Sequence, residues 1–200
     1  MENRAFEEML KPAVCRIQKK TAEEMSEKAG VFYNRETSQF EIASLGKIIK
    51  VAYPSCRLSE RLEEWHTLLL LHYLEMAQGV PLTGQWVSFG NLKDGLVRGT
   101  KFDHAAEIEI HKIFKGKSLE QLREICHKLG GKFVDTKADL CAEIFLFPRY
   151  PFLLKVWMED EEFPLSGKLF VDRSADQYLS IEDGVTAGDL LLRKMQEVEC

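Results

Sequence analysis

The sequence lacks the closely spaced cysteine pairs that mark most zinc and iron–sulfur sites. It contains five cysteines in 200 residues, and no two of them form the C-x2-C pair of a metal site. An odd number of widely spaced cysteines does not suggest a disulfide framework either. We therefore expect free thiols in a reducing cytoplasm, as core or surface residues. They are Cys15, Cys56, Cys126, Cys141 and Cys200.

Long apolar runs are also missing. None is longer than the four leucines Leu68 to Leu71, whereas a helix that crosses a bilayer needs about 20 apolar residues. The N-terminus, MENRAFEEMLKP, places acidic residues before any apolar run, which is the reverse of a secretory signal. These features predict a cytoplasmic protein with no membrane partner.

Positive charge is neither in excess nor concentrated. The chain has 27 Lys and Arg against 32 Asp and Glu, a net charge of -5. Because binding to a phosphate backbone depends on concentrated positive charge, nucleic acid is not an expected partner. The densest charge run is the acidic EDEE from Glu159 to Glu162, which lacks the spaced carboxylates and turn glycine of a cation loop and is interpreted as a solvated turn.

The common catalytic motifs are absent. The sequence has no G-x-G-x-x-G after a predicted strand, no G-x-x-x-x-G-K-[ST], no H-E-x-x-H and no G-x-S-x-G. Cys126 and His127 are adjacent, and on a helix their side chains would point about 100° apart, which argues against a nucleophile and its base. No cofactor is assigned.

What is present is the composition of one sizeable folded domain. Hydrophobic residues make up 45% and charged residues 30%, and a chain of this length buries roughly two-thirds of its unfolded surface. We find no repeat or low-complexity linker and predict a single domain over 1–200, with a helical N-terminal segment, 1–30, and a body, 31–200. The predicted class is α+β, a mostly antiparallel sheet packed against a buried central helix, with a helical N-terminal layer and a C-terminal helix.

In the first half of the chain, the spacing of the apolar residues changes from a helical period to a strand period and back. Good helix formers predict helix from Glu2 to about Lys28, divided or kinked at Pro12 and stopped by Gly30. Alternating residues then predict two or three antiparallel strands with a turn at Gly46, ending at Pro54. Ser59 is the expected N-cap of a helix that runs to Gly79.

The second half repeats that order. A glycine-rich, structured loop from Pro81 to Thr100 precedes a helix predicted over 103–114. Ser118 and Gln121 form an S-x-x-Q capping box for the next helix, which stops at Gly130. A three-stranded meander follows from Cys141, and a final helix is predicted over 186–198. Four carboxylates lie between the end of the last strand of the meander and the final helix, and they are interpreted as caps of short helical turns: Asp172, Asp176, Glu182 and Asp183.

The central helix carries the first candidate site, in the stretch LLLLHYLEMAQG. Trp65, His72 and Tyr73 share one face with Leu62, Leu69 and Met76. A histidine on such a face, like His66 nearby, is more often a core residue with one hydrogen bond than a catalytic base. If the helix lines a pocket, Trp65, His72 and Tyr73 would supply polar groups in an apolar ligand site.

Two further sets of residues are candidates. Trp86 and Phe89 lie in the glycine-rich loop. Their rings either contact a ligand or partner protein, or they pack in the hydrophobic core. His104, Glu107 and His111 follow a spacing of i, i+3 and i+7 on one helix face, and this ligand set would suit zinc or iron. Because the two histidines are separated by a rise of about 10.5 Å, a polar helix flank is the favoured interpretation over a metal site.

Four stretches together resemble a known family: LHYLEMAQGVPLTGQWVSFGNL, GTKFDHAAE, FPRYPFLLKVWMEDEEFP and LFVDRSADQYLSIED. They resemble uncharacterised domains from anaerobic bacteria and archaea, over about residues 32–192. Some members of that family follow a four-cysteine iron–sulfur domain of the kind seen in corrinoid proteins, and this sequence has no such segment. The resemblance implies a setting in anaerobic one-carbon or corrinoid metabolism, and no catalytic residues.

Three functions follow from these observations. The favoured one is a non-enzymatic accessory domain that binds a small molecule or a partner protein through the 81–100 loop and the central helix. The second is a metal-dependent enzyme that uses His104, Glu107 and His111, and the third is a structural subunit of a larger assembly.

Overall fold

The structure, a computed structural model, describes residues 4–198, so the predicted start of the first helix at Glu2 and the terminal Cys200 lie outside the described residues. The described residues form six α-helices and eight β-strands. The helices are α1 (Arg4–Ile17), α2 (Ala22–Ala29), α3 (Glu64–Met76), α4 (Gly95–Phe114), α5 (Leu119–Lys128) and α6 (Ile181–Glu197). The strands are β1 (Phe32–Asn34), β2 (Gln39–Ser44), β3 (Lys47–Ala52), β4 (Trp86–Val87), β5 (Lys132–Phe133), β6 (Leu140–Phe147), β7 (Tyr150–Trp157) and β8 (Ser166–Asp172).

The strands form two antiparallel sheets, which confirms the predicted α+β class. One has three strands in the order β1-β2-β3, and the other has five in the order β4-β8-β7-β6-β5. The predicted meander is β6, β7 and β8, widened at its two edges by the short strands β4 and β5. The backbone N–H of Leu45 donates to the carbonyl of Phe145 at 3.0 Å, and this bond joins the two sheets.

The predicted central helix is confirmed as α3, which is apolar on nearly every side. Its residues 68–71 and 73–74 are all buried. Tyr73 is completely buried, and its hydroxyl donates to the carbonyl of Ala29 and accepts from the amide of Arg149. Its ring stacks on that of Phe147 with centroids 4.6 Å apart. The helix thus joins the N-terminal layer to the larger sheet.

The first helix is not divided at Pro12, which was one of the two predicted alternatives. Helix α1 continues through Pro12, which lies on an exposed side of the helix, and the chain breaks instead at 18–21. There the Thr21 side chain accepts from the amide of Glu24 at 3.3 Å and caps a new helix. The predicted stop at Gly30 is confirmed, since Gly30 takes a left-handed conformation with φ 65° that suits glycine.

Ser59 does not cap α3, contrary to the prediction. Its amide donates to the carbonyl of Lys50 at 2.9 Å and its hydroxyl accepts from the amide of Lys50 at 3.3 Å. The residue therefore pairs with strand β3. The helix begins five residues later at Glu64, after the extended residue Glu63.

Helices α4 and α6 both begin earlier than predicted. Helix α4 starts at Gly95, eight residues before the expected position, because its glycines allow close packing on the preceding turn. A Cβ atom at Gly95 or Gly99 would lie 2.1 or 2.3 Å from the carbonyl oxygen of Phe89. Helix α6 starts at Ile181, where the hydroxyl of Ser180 accepts from the amide of Asp183 at 3.1 Å.

The capping box of α5 is confirmed, with both reciprocal bonds between Ser118 and Gln121. Among the helices of residues 4–198, none combines the length and the apolar character needed to cross a membrane.

Candidate functional site

A cavity of about 260 Å³ lies where the β2–β3 hairpin, the start of α3 and the C-terminal ends of α5 and α6 meet. Polar, charged and apolar side chains all contribute to its lining. The lining consists of Ser44, Leu45, Lys47, Ile49, Glu60, Arg61, Leu62, Glu63, His66, Lys128, Leu129, Lys194, Glu197 and Val198.

The cavity contains a buried polar pair, Ser44 and His66. The Ser44 hydroxyl lies 2.8 Å from Nε2 of His66, and the two residues are only 2% and 6% exposed. Burial lowers the pKa of His66 to about 4; Lys194 and Lys47 add to this shift and Glu63 opposes it. The imidazole is therefore neutral at pH 7.

The turn between β2 and β3 brings Ser44 to this position. Leu45 and Gly46 form the turn with positive φ angles of 47° and 78°, as in the two-residue hairpin turns that glycine favours. Gly46 touches the chain just after α5, and a Cβ atom there would lie 3.0 Å from the amide nitrogen of Gly130. A Cβ atom at Gly130 would in turn lie 2.7 Å from Cα of Gly46, so the close approach requires glycine at positions 46 and 130.

Most of the charged side chains around the cavity form ion pairs. Glu63 pairs with Arg193 at 2.7 Å and with Lys194 at 3.4 Å, and Lys194 also pairs with Glu197 at 2.6 Å. Lys128 pairs with Glu124 at 3.3 Å. For Lys47, Arg61 and Glu60 the described part of the chain offers no ion-pair partner.

The residues predicted as a ligand site on the central helix do not line this cavity. Tyr73 lies in the core, Trp65 is half-buried, and Nδ1 of His72 is 2.9 Å from Oδ1 of Asp183. Asp183 also accepts from the hydroxyl of Ser180 at 3.0 Å. His72 therefore connects α3 to the first turn of α6, with a carboxylate rather than a backbone carbonyl as its partner.

The aromatic residues of the glycine-rich loop are divided between core and surface. Phe89 is completely buried, with its ring 4.5 Å from that of Phe102, so it belongs to the core and is not an exposed anchor. Trp86 is half-buried in β4, opposite Asp172. Asp172 caps the turn after β8, as predicted, by accepting from the amide of Ser174 at 2.9 Å.

The three residues weighed as a metal site do not converge on one point, although Glu107 and His111 line the same groove. His104 is exposed, Glu107 pairs with Lys168 at 3.4 Å, and Nδ1 of His111 is 2.8 Å from the carbonyl oxygen of Leu165. Within residues 4–198, no three His, Cys, Asp or Glu side chains are placed to hold one ion. The helical rise between the two histidines accounts for this.

The cysteines behave as predicted where they are described. Cys56, Cys126 and Cys141 are buried and Cys15 is exposed, all as free thiols. Burial raises the pKa of Cys126 to about 12 and that of Cys56 to about 11, so both remain protonated and unreactive at neutral pH.

Residues 21–194 match the family described as domain of unknown function DUF3786. The chain belongs to this family. The match spans most of the chain and includes Ser44, His66 and every other cavity residue except Glu197 and Val198, so the pair lies within the DUF3786 domain itself. Neither the comparison with curated proteins nor that with solved structures gives a match.

Proposed function

We propose that this chain is a non-enzymatic accessory domain that binds a small molecule in the cavity beside Ser44 and His66. The buried pair at the cavity wall is the observation that supports this proposal. Ligand sites typically combine apolar walls with a few polar groups that fix the orientation of the ligand. Ser44 and His66 would supply those groups, while Leu62 and Ile49 supply apolar contacts.

The properties of His66 favour binding over catalysis. A serine hydroxyl within hydrogen-bond reach of a histidine is the geometry of an activated nucleophile. A general base works best, however, when its pKa lies near the working pH. His66, with a pKa lowered to about 4 by burial, is a weak base at pH 7, so we assign the pair to ligand recognition.

The resemblance noted in the sequence suggests that this role belongs to anaerobic one-carbon or corrinoid metabolism in the cytoplasm. At about 260 Å³, the cavity is slightly smaller than the roughly 300 to 1,000 Å³ of typical ligand pockets. A corrinoid macrocycle does not fit in such a volume. Within that setting, the ligand is therefore a small metabolite, and any corrinoid belongs to a partner protein.

A thermal-shift experiment tests the proposal. The probes are succinate, its uncharged isostere succinamide, 1,4-diaminobutane and inorganic phosphate, each at constant ionic strength. A ligand present at 100 times its Kd stabilises the folded chain by about 2.7 kcal/mol, which corresponds to a Tm increase of roughly 5 to 10 °C for a protein of this size. We expect at least one probe to produce such an increase.

The control is a matched pair of substitutions. Leu62 lines the cavity and Leu58 does not, and both are half-buried against the core. Leu62→Trp fills the cavity and should abolish the Tm increase, whereas Leu58→Trp should preserve it. If no probe stabilises the wild-type chain, or if Leu62→Trp has no effect on binding, ligand binding in this cavity is rejected and a partner-protein role takes its place.

A further inference from the structure

We infer that the ligand of the cavity is a small organic anion whose charged group faces Lys47 and Arg61 and whose remaining polar atoms reach Ser44 and His66. This inference rests on the proposed function, since it names the class of molecule that the same cavity binds. The argument begins with the charges that surround the cavity.

Seven charged side chains line the cavity, and the ion pairs around it leave an excess of positive charge. Glu63 and Glu197 are both paired with Lys194, and Lys128 is paired with Glu124. Lys47 and Arg61 remain without an ion-pair partner in residues 4–198, against the single carboxylate of Glu60. A ligand that enters the cavity therefore meets two available cations and one available anion.

The helix ends assign the other two lysines to a structural role. Helices α5 and α6 end at the cavity, where the partial negative charge of a helix C-terminus favours cations. Lys128 is the last residue of α5, and Lys194 lies in the last turn of α6. Both therefore offset the helix ends as well as forming ion pairs. Helix α3 begins at the cavity, and the carboxylates of Glu63 at the N-cap position and Glu64 in the first turn already offset its N-terminal end.

The polar pair completes the site. Ser44 and His66 are each more than nine-tenths buried and are 2.8 Å apart, so they lie at the cavity wall with their geometry fixed. A neutral hydroxyl and a neutral imidazole can each donate or accept a hydrogen bond. They therefore complement polar atoms of the ligand without adding charge, and Lys47 and Arg61 supply the charge.

Two measurements on the full chain test this inference. Isothermal titration compares succinate and inorganic phosphate with succinamide at constant ionic strength. An NMR titration of the His66 ring, with and without inorganic phosphate, reports its pKa. Phosphate is still an anion near pH 4, where succinate is largely protonated, and an anion bound close to the imidazole favours the protonated form. We expect succinate or phosphate to bind at least tenfold more tightly than succinamide at pH 7, and bound phosphate to raise the pKa of His66 from about 4.

Two double variants test which side chains supply the positive charge that binds the anion. Replacing both Lys47 and Arg61 with Ala should weaken anion binding at least tenfold and leave succinamide binding unchanged. Replacing both Lys101 and Lys137 with Ala makes the same change in net charge at exposed positions outside the cavity and should have no effect on either ligand.

The possible failures are distinguishable. If succinamide or 1,4-diaminobutane binds as tightly as succinate and Leu62→Trp abolishes that binding, the ligand-binding function stands and the anion inference is overturned. Equal loss of anion affinity in both double variants would overturn it as well, because the effect would then be one of net charge. If none of the probes binds, the inference and the proposed function fail together.

Discussion

At the scale of single residues, His66 makes stability depend on pH. Its pKa is about 4 in the folded chain and about 6.5 when unfolded. Between these values the unfolded chain binds the proton and the folded chain does not, so stability falls as the pH drops from 6.5 towards 4. At pH 4.5 the wild-type chain should lose about 2.5 kcal/mol through this residue, relative to pH 7.

The variant His66→Gln isolates this effect, because glutamine does not titrate and can still form a hydrogen bond with Ser44. Urea unfolding at pH 7 and pH 4.5 gives the change in the free energy of unfolding for each protein. The wild-type change should exceed that of the variant by about 2.5 kcal/mol. Equal changes would show that folding does not shift the pKa of His66.

His72 provides a second prediction at this scale. Its bond to Asp183 is 2.9 Å long, and the two side chains are 13% and 16% exposed. A hydrogen bond of this kind to a charged group contributes about 1.5 kcal/mol. In a double-mutant cycle of His72→Ala and Asp183→Ala, we expect a coupling energy of about 1 to 2 kcal/mol in urea unfolding, with unchanged ligand binding. Additive effects on stability would contradict a link between α3 and α6.

At the scale of elements, the start of α4 gives a prediction opposite to the usual rule. Gly→Ala inside a helix normally stabilises a protein by about 0.5 to 1 kcal/mol. A Cβ atom at Gly95 or Gly99 would instead lie 2.1 or 2.3 Å from the backbone oxygen of Phe89. Gly95→Ala and Gly99→Ala should each destabilise the chain by about 1 to 3 kcal/mol.

The exposed Arg98 in the same helix serves as the control, since Arg98→Ala should change the free energy of unfolding by less than about 0.5 kcal/mol. Urea unfolding of the three variants makes the comparison. A stabilised Gly99→Ala variant would mean that α4 and the turn at Phe89 do not pack as closely as described.

The elements that sequence predicts best are those with local signals. The capping box of Ser118 and Gln121 sets the start of α5, and Gly46 marks the β2–β3 turn. The start of α4 could not be predicted in this way, because Gly95 and Gly99 have low helix propensity. Their place in the helix depends on the position of Phe89, a tertiary contact with no signal in the helix itself.

At the scale of the whole molecule, the cavity could not be predicted from the sequence for a related reason. Helix α3 is apolar on nearly all sides, so its periodicity does not tell which of His66 and His72 faces a cavity. His66 meets Ser44 across 22 residues of chain, and their contact depends on how the β2–β3 hairpin lies on α3. The sequence shows that serine and histidine are available for a polar site, but it does not show where in the fold they meet.

The prediction of a single domain concerns the molecule as a whole, and Tyr73 is the residue that tests it. Its hydroxyl contacts the Ala29 carbonyl of the N-terminal layer and the Arg149 amide beside the larger sheet. Tyr73→Phe leaves both backbone groups without this partner and should lower the free energy of unfolding by about 2 to 4 kcal/mol. Tyr53→Phe, which removes a partly buried bond to the Lys20 carbonyl, should cost about 1 kcal/mol.

The loss in Tyr73→Phe should affect the whole chain at once, because one cooperative unit shares the cost of any broken contact. Urea unfolding followed by circular dichroism and by the fluorescence of the three tryptophans should give coincident transitions in the wild type, displaced together in the variant. If α1, α2 and the three-stranded sheet instead unfold together in a separate earlier step, then the two sheets belong to separate folding units. The cavity lies between the β2–β3 hairpin and α5 and α6, so its ligand would then bind at a domain boundary and stabilise both units together.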